Sequence, residues 1–240
     1  MKRGICIFLV TLIFGSFARG EETESDAAFL ELIRMVLDEA TSADVPFRDV
    51  IRAVTGKQVL PIDRQQLLDE KIVDAVTGAI RKTIAELNQP GSPTNEEGRI
   101  NEVSRHFEDA LERHLDALPD FTCETPKTAG GKQLSSGYPD LRIVHEPSGR
   151  VAYLDPKLMA ADSAKSSLRT FYYTPRTTTS KVLDDAHHLL VGIEHDGNTG
   201  EWKFTGWKLV DLYDFKVRLK AEFQASNRDL YQDTQILESD

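Results

Sequence analysis

Apolar positions along the chain recur at two different periods, and the changes of period divide it into elements. Between residues 26 and 41 they come every three or four residues (Phe29, Leu30, Ile33, Val36, Leu37) with acids between them, which predicts an amphipathic helix. Pro46 opens a second, short helix that Gly56 ends. A third starts near Asp63, carries Leu67, Leu68, Ile72, Val73, Val76 and Ile80 on one side, and runs towards Leu87. Residues 88–94, rich in Pro, Gly and Ser, read as a linker. That linker sets a helical N-terminal subdomain, residues 21–90, apart from an α/β core, residues 91–240. Thr94 with Glu97 three residues later forms a capping box for a helix reaching Leu118, with Val103, Phe107, Ala110, Leu111, His114 and Leu115 on its buried stripe.

After residue 120 the period falls to two. Residues 121–125 read as a strand. Leu141-Arg142-Ile143-Val144 and Val151-Ala152-Tyr153-Leu154 flank the turn Glu146-Pro147-Ser148-Gly149, and together they predict a β-hairpin. If His145 pairs with Arg150, counting back along the ladder sets Asp140 opposite Asp155. Side chains facing each other in this way have Cβ atoms roughly 4.5–5.5 Å apart. Two carboxylates at that spacing repel unless one is protonated or a cation lies between them, and hard cations such as Mg²⁺ favour such oxygen ligands. Lys157, two residues beyond Asp155, falls on the same face. Further on, residues 189–193 predict a central strand and 202–212 another. Residues 212–223 read as a helix with Lys216, Arg218 and Lys220 outside, a second candidate contact for a phosphate backbone.

Pro139-Asp140, an intervening turn, and Asp155-Pro156-Lys157 at a strand end resemble the PD-(D/E)xK nuclease superfamily over about residues 95–215. The bare motif recurs in Pro119-Asp120, Asp69-Glu70-Lys71 and Asp214-Phe215-Lys216. Only the 139–157 set joins two apolar strands in a register that brings its acids together. The resemblance implies an α/β fold, a restriction-endonuclease-like mixed β-sheet flanked by helices. It also implies a metal-dependent phosphodiesterase acting on nucleic acid, in the first place DNA. Asp140, Asp155 and the backbone carbonyl of Pro156 would then hold Mg²⁺ (or Mn²⁺), and Lys157 would orient water or neutralise charge on the phosphate. A helix glutamate completes the set in that family. Glu102 matches it best, with Glu96 and Glu108 as alternatives that helix geometry does not separate. Pro156 departs from the small or aliphatic residue usual at its position and cannot donate a ladder hydrogen bond, which predicts a bend or bulge there.

Charge complicates this picture. The chain carries −10 at neutral pH, and loss of residues 1–20, which hold Lys2, Arg3 and Arg19 and no acid, would make it −13. Such a chain repels nucleic acid at long range, so a nuclease of this composition needs its cations gathered locally. Lys165, Ser167, Arg169, Tyr172 and Arg176 supply that composition, basic and hydroxyl groups beside aromatics, with Lys181 continuing the trend. An equally good reading is a connection whose aromatics belong to the core. The glycine-serine loop 130–137 reads as a turn near the cleft. His187, His188, Glu194 and His195 invite a zinc reading, but neighbouring histidines on a strand point to opposite faces.

The start of the chain has a different character. Lys2-Arg3, the apolar run 5–14 and Ser16-Phe17-Ala18 follow the order of a secretory signal peptide, cleaved after Ala18 or Gly20. The run is too short to span a bilayer comfortably, which takes about twenty residues. The product expected is secreted or periplasmic, without stable membrane association. Cys123 is then the one remaining cysteine, read as a small buried hydrophobe. The sequence thus points to an exported metal-dependent endonuclease. Its rival is a catalytically inactive nuclease-like fold serving as a secreted nucleic-acid- or protein-binding module. Either is compatible with a homodimer.

Overall fold

The computed structural model describes residues 44–134, 136–161 and 171–219, together with Glu31, Ile33, Arg34, Ser163, Ser166, residues 226–230 and Glu238. Residues 1–20, expected to be an export signal, and most of the helix expected over 26–41 lie outside the described residues. Asp44–Arg218 form one compact unit, and the chain on either side of it belongs to a second.

Within the larger unit the order is β1 (Val45–Pro46), α1 (Phe47–Thr55), β2 (Val59–Leu60), α2 (Leu67–Leu87), a 3₁₀ turn (Pro93–Glu96), α3 (Ile100–Asp116), β3 (Phe121–Glu124), β4 (Leu141–His145), β5 (Arg150–Ala160), β6 (Ala186–His195), β7 (Phe204–Asp211) and β8 (Lys216–Val217). Six strands make a mixed sheet in the order β2-β6-β5-β4-β3, with β7 also pairing with β6. β3, β4 and β5 run antiparallel in turn, β5 and β6 run parallel, and β7 returns antiparallel to β6. The expected mixed α/β architecture is present, with the run 189–193 at its centre.

Alternation along the strands decides what each face packs against. Leu141, Ile143, Ala152, Leu154, Leu189, Val191 and Ile193 pack with Ile72, Val76 and Ile80 of α2 and Val103, Phe107, Leu111 and Leu115 of α3. The intervening positions Val151, Tyr153 and Ala186 pack instead with Phe47 and Ile51 of α1, one helical turn apart, and with Tyr138 and Val182. Gly56 ends α1 with a left-handed φ of 72°, and its N–H bonds the Arg52 carbonyl. Asn88, just past α2, exchanges two hydrogen bonds of 2.9 Å with the backbone of Phe204, so the linker region is tied to β7. No helix among the described residues is long and apolar enough to cross a membrane.

Three local expectations are overturned. The 94–97 capping box does not form: Ser92, not Thr94, caps a 3₁₀ turn, and the Glu97 carboxylate lies 2.9 Å from His106 Nε2. Gly98 and Arg99 follow in non-helical conformation, and α3 begins only at Ile100. Residues 212–218 are not helical either, because Val217 pairs with Val45 while the Phe215 carbonyl accepts from Phe47 N, which pulls the segment into a second sheet. The third concerns Pro156, where β5 keeps an uninterrupted register against β6 from Val151 to Ala160, with no bulge. The ladder to β4 ends at Leu141↔Leu154, so beyond that pair β5 has a partner strand on one side only, and a missing donor is tolerated.

Phe107 is fully buried, with its ring edge-to-face on Phe204 at 4.6 Å between centroids. Phe107→Ala should therefore lower unfolding free energy by about 3–5 kcal/mol, measured by denaturant titration.

Candidate active site

Hairpin geometry delivers the central side chains. His145 pairs with Arg150 and Leu141 with Leu154, the register anticipated from the turn, so Asp140 leaves the ladder one step beyond, next to Asp155. Both fall on the face shared with Tyr153. Lys157, two residues along β5, places its Nζ 2.6 Å from Asp155 Oδ2 and 3.6 Å from Asp140 Oδ2. The three residues of the sequence motif thus converge, with the ammonium lodged against both acids.

Burial governs their chemistry. The Asp155 side chain is 2% exposed. Burial, followed by the neighbouring Asp140, holds its pKa well above the ordinary carboxylate range even though Lys157 pulls the other way. Burial opposes the Lys157 charge, but Asp155 and Asp140 outweigh it and raise the ammonium pKa. The ion pair is close, and Asp155 also bonds the Asp140 carboxyl beside it. Two neighbouring carboxyls, one of them buried, are a pair whose ionised form a cation favours.

The helix glutamate is where the sequence expectation fails. Glu102 is exposed in the first turn of α3 and does not join the cluster. Glu108, one turn and a half further on, does: burial first and Asp140 second raise its pKa to about 7, while Lys157 and Lys181 counter the shift. Glu96 belongs to the 3₁₀ turn before the helix. The tertiary placement of α3 beside β5 selects among three acids that periodicity alone left open. Lys181 was read only as part of a basic trend. It is 2% exposed, and its Nζ donates to the carbonyls of Gly137 (2.8 Å) and Pro139 (3.3 Å). Burial lowers its pKa, with Asp140, Glu108 and Asp155 opposing.

These groups floor two openings. A cleft of about 460 Å³ is bounded by Asp140, Asp155, Lys157 and Lys181 on one side and by Ser136, Gly137, Tyr172 and Arg176 on another. A second hollow, about 690 Å³, runs past Glu108, Asp109 and Glu112 of α3 and meets the first at Asp140 and Lys181. Of the side chains expected to grip nucleic acid, Tyr172 and Arg176 line the first cleft and are exposed, while Lys165, Ser167 and Arg169 lie outside the described residues. Phe171 and Tyr173, on either side of Tyr172, turn inward against Phe47 at 5.3 and 5.5 Å between ring centroids. Phe171 and Tyr173 are therefore core residues, whereas Tyr172 stays exposed at the cleft.

The histidines are dispersed. His187 lies 3.2 Å from Asp69 and 3.1 Å from Arg150, whereas His188 meets Tyr138 at 2.7 Å. Burial, with His187 beside it, pushes His188 down to about 3, so its ring is neutral. His195 accepts from Gly197 N, and Glu194 pairs with Lys208. No group of three or more His, Cys, Asp and Glu side chains forms a ready metal cage among the described residues. What the cleft offers instead is a pair of neighbouring carboxylates, one of them buried. That donor set suits a hard divalent ion such as Mg²⁺, which keeps several waters and takes only one or two carboxylates, and it does not suit zinc.

Comparison with known proteins gives two results. The family model described as Type II restriction enzyme MjaV family matches residues 40–234. A protein described as Type II restriction enzyme MjaV, from Methanocaldococcus jannaschii, is 33% identical over 228 residues, a match that covers 88% of this chain and 96% of that protein.

A carboxyl whose pKa is raised on folding stabilises the fold only while it is protonated. For Glu108 the contribution is complete below about pH 4.5 and is lost as pH rises through about 7. In chelator, stability should fall across that window by at most about 3 kcal/mol for this group, and by less as solvent screens its half-buried carboxyl. Glu108→Gln should flatten the fall, as read from denaturant midpoints at several pH values.

Proposed function

This chain belongs to the Type II restriction enzyme MjaV family, and from that premise we propose that it is a Mg²⁺-dependent endonuclease that hydrolyses phosphodiester bonds of DNA, built on a PD-(D/E)xK site. One observation carries the reading: Asp140, buried Asp155 and Lys157 meet at the floor of an open cleft, with Nζ 2.6 and 3.6 Å from the two carboxylates.

Asp140 and Asp155 would hold the ion, together with the backbone carbonyl of Pro156. When bound, a divalent ion polarises the scissile phosphate and lowers the pKa of the attacking water. Lys157, fixed by β5 and by both acids, supplies a donor to charge developing on the phosphate oxygens. Glu108 takes the place assigned in sequence to Glu102. With its pKa near 7 it can accept a proton at the site in neutral solution. Arg176 and Tyr172 face the cleft, where a guanidinium can pair with a phosphate and a ring can pack on sugar or base. Lys165, Ser167 and Arg169 extend that grip in the same reading. The gathering of Lys157 and Arg176 on one cleft gives an acidic protein local positive charge where its substrate would lie.

A second proposal rests on the order of residues 1–20, that of an export signal. On it the enzyme acts outside the cytoplasm, and the N-terminus of the protein recovered from cells, read by mass, should lie just after Ala18 or Gly20. An intact Met1 would refute export without touching the chemistry.

Purified protein incubated with plasmid DNA and Mg²⁺ should cut it, and chelator should abolish cutting. Asp140→Ala and Lys157→Ala should each lower the rate by at least about a hundredfold while the circular dichroism spectrum stays unchanged. Full activity in both variants would reject the assignment. A wild-type protein that binds DNA without cutting it at any divalent ion concentration would favour a silent binding module. Discrete fragments would show sequence selectivity, and a smear would show its absence.

A further inference from the structure

Lys181 sits at the meeting of the two hollows and is buried, yet it is neither one of the motif residues nor a free cation facing solvent. Its bonds run to backbone. Nζ donates to the carbonyls of Gly137 and Pro139, the turn that immediately precedes Asp140. A lysine bonded in this way ties down a loop.

What holds Lys181 in turn is the hairpin itself. Three residues on, Asp184 receives Arg142 through Nε at 2.8 Å and through a terminal guanidinium nitrogen at 3.1 Å, and it accepts from the Tyr153 hydroxyl at 2.8 Å. The same hydroxyl accepts from the backbone N–H groups of Leu183 (2.9 Å) and Asp184 (3.2 Å). Arg142 and Tyr153 are paired across β4 and β5, two residues from Asp140 and two from Asp155. The chain of bonds therefore starts on the strand pair that carries the acids, crosses to the 181–184 segment, and returns through the Lys181 ammonium to the turn before Asp140. Val182, buried against Phe47 and Tyr153 in the same cluster, fixes the segment between its two anchor points.

We propose that Lys181 is a positioning residue for the reaction: by clamping the Gly137–Pro139 turn, it sets the Asp140 carboxylate beside Asp155, where the two could share a divalent ion. The inference rests on the proposed metal-dependent function. It extends that function by a residue that acts on Asp140 through backbone and has no need to touch substrate. Asp140 lies just outside the β4–β5 ladder. A residue there has no strand partner to fix it, so an outside clamp is needed where the ladder stops.

Two roles for Lys181 make opposite predictions about metal affinity. As a bare charge it would repel a divalent ion, and removing it would tighten binding. As a clamp it makes binding possible, and outer partners of metal ligands are typically worth about 10–100-fold in affinity. Mn²⁺ alone, titrated calorimetrically into the full-chain protein without DNA, separates them. Lys181→Met should weaken Mn²⁺ binding at least about tenfold, and Lys181→Arg, which keeps donors for the two carbonyls, should regain part of the loss. Binding as tight as wild type or tighter in Lys181→Met would overturn the inference. Should that variant fail to fold, Tyr153→Phe keeps the ammonium but frees its segment. It should weaken Mn²⁺ in the same direction, and unchanged affinity would again overturn the clamp. Asp140→Ala separates the two levels. If it binds Mn²⁺ like wild type, the metal site itself is misassigned, whereas if it loses binding while Lys181→Met keeps it, only the clamp fails.

Discussion

Two carboxylates brought together inside a protein repel each other, and low dielectric makes the repulsion stronger than it would be in water. The β4–β5 register leaves this chain no way around that conflict: once Leu141 faces Leu154, Asp140 emerges beside Asp155. One of the two is almost wholly buried. The Lys157 ammonium relieves the repulsion only in part, since Asp155 is still driven towards its neutral form. Most of the surrounding structure bears on this single imbalance. Glu108 enlarges it from the helix side, and Lys181 diminishes it from the loop side. A site so arranged favours a proton at low pH and, in the function proposed, a divalent cation at neutral pH.

The fold holds this arrangement in place by what it packs behind it. Tyr153, two residues before Asp155 on the same face, is fully buried and ties the 183–184 backbone to the strand through its hydroxyl. Phe47 contacts Tyr138, Phe171 and Tyr173 edge-on, so the residues that frame the cleft rest on one aromatic hub supplied by α1. On the opposite face α2 and α3 form a conventional apolar layer. The site thus lies where β4 stops pairing with β5 in a sheet covered on both faces, and its side chains reach into an open cleft.

How much of this could be read in advance depended on the range of the interactions involved. The hairpin was legible because two β-branched runs and a Pro-Ser-Gly turn specify a local register, and that register alone brings Asp140 to Asp155 and Lys157. The central strand and the helices α1, α2 and α3 followed from period and breakers. Glu108 was not legible as the third acid: the choice among Glu96, Glu102 and Glu108 is made by where α3 lies along β5, and helical periodicity carries no such information. Lys181 was missed for a related reason. Its partners are two carbonyls more than forty residues earlier in the chain, and no spacing signal marks a side chain that bonds only to distant backbone. The absence of the expected helix over 212–218 shows the same effect in reverse, since Val217 and Phe215 take strand contacts with Val45 and Phe47 that local composition does not announce.

The account depends most directly on whether the paired acids take up a divalent ion. Anomalous diffraction from crystals of the protein grown with Mn²⁺ would locate that ion without reference to activity. The predicted result is a peak at the carboxylates of Asp140 and Asp155. A Mn²⁺ peak elsewhere, with none at these two carboxylates, would contradict it.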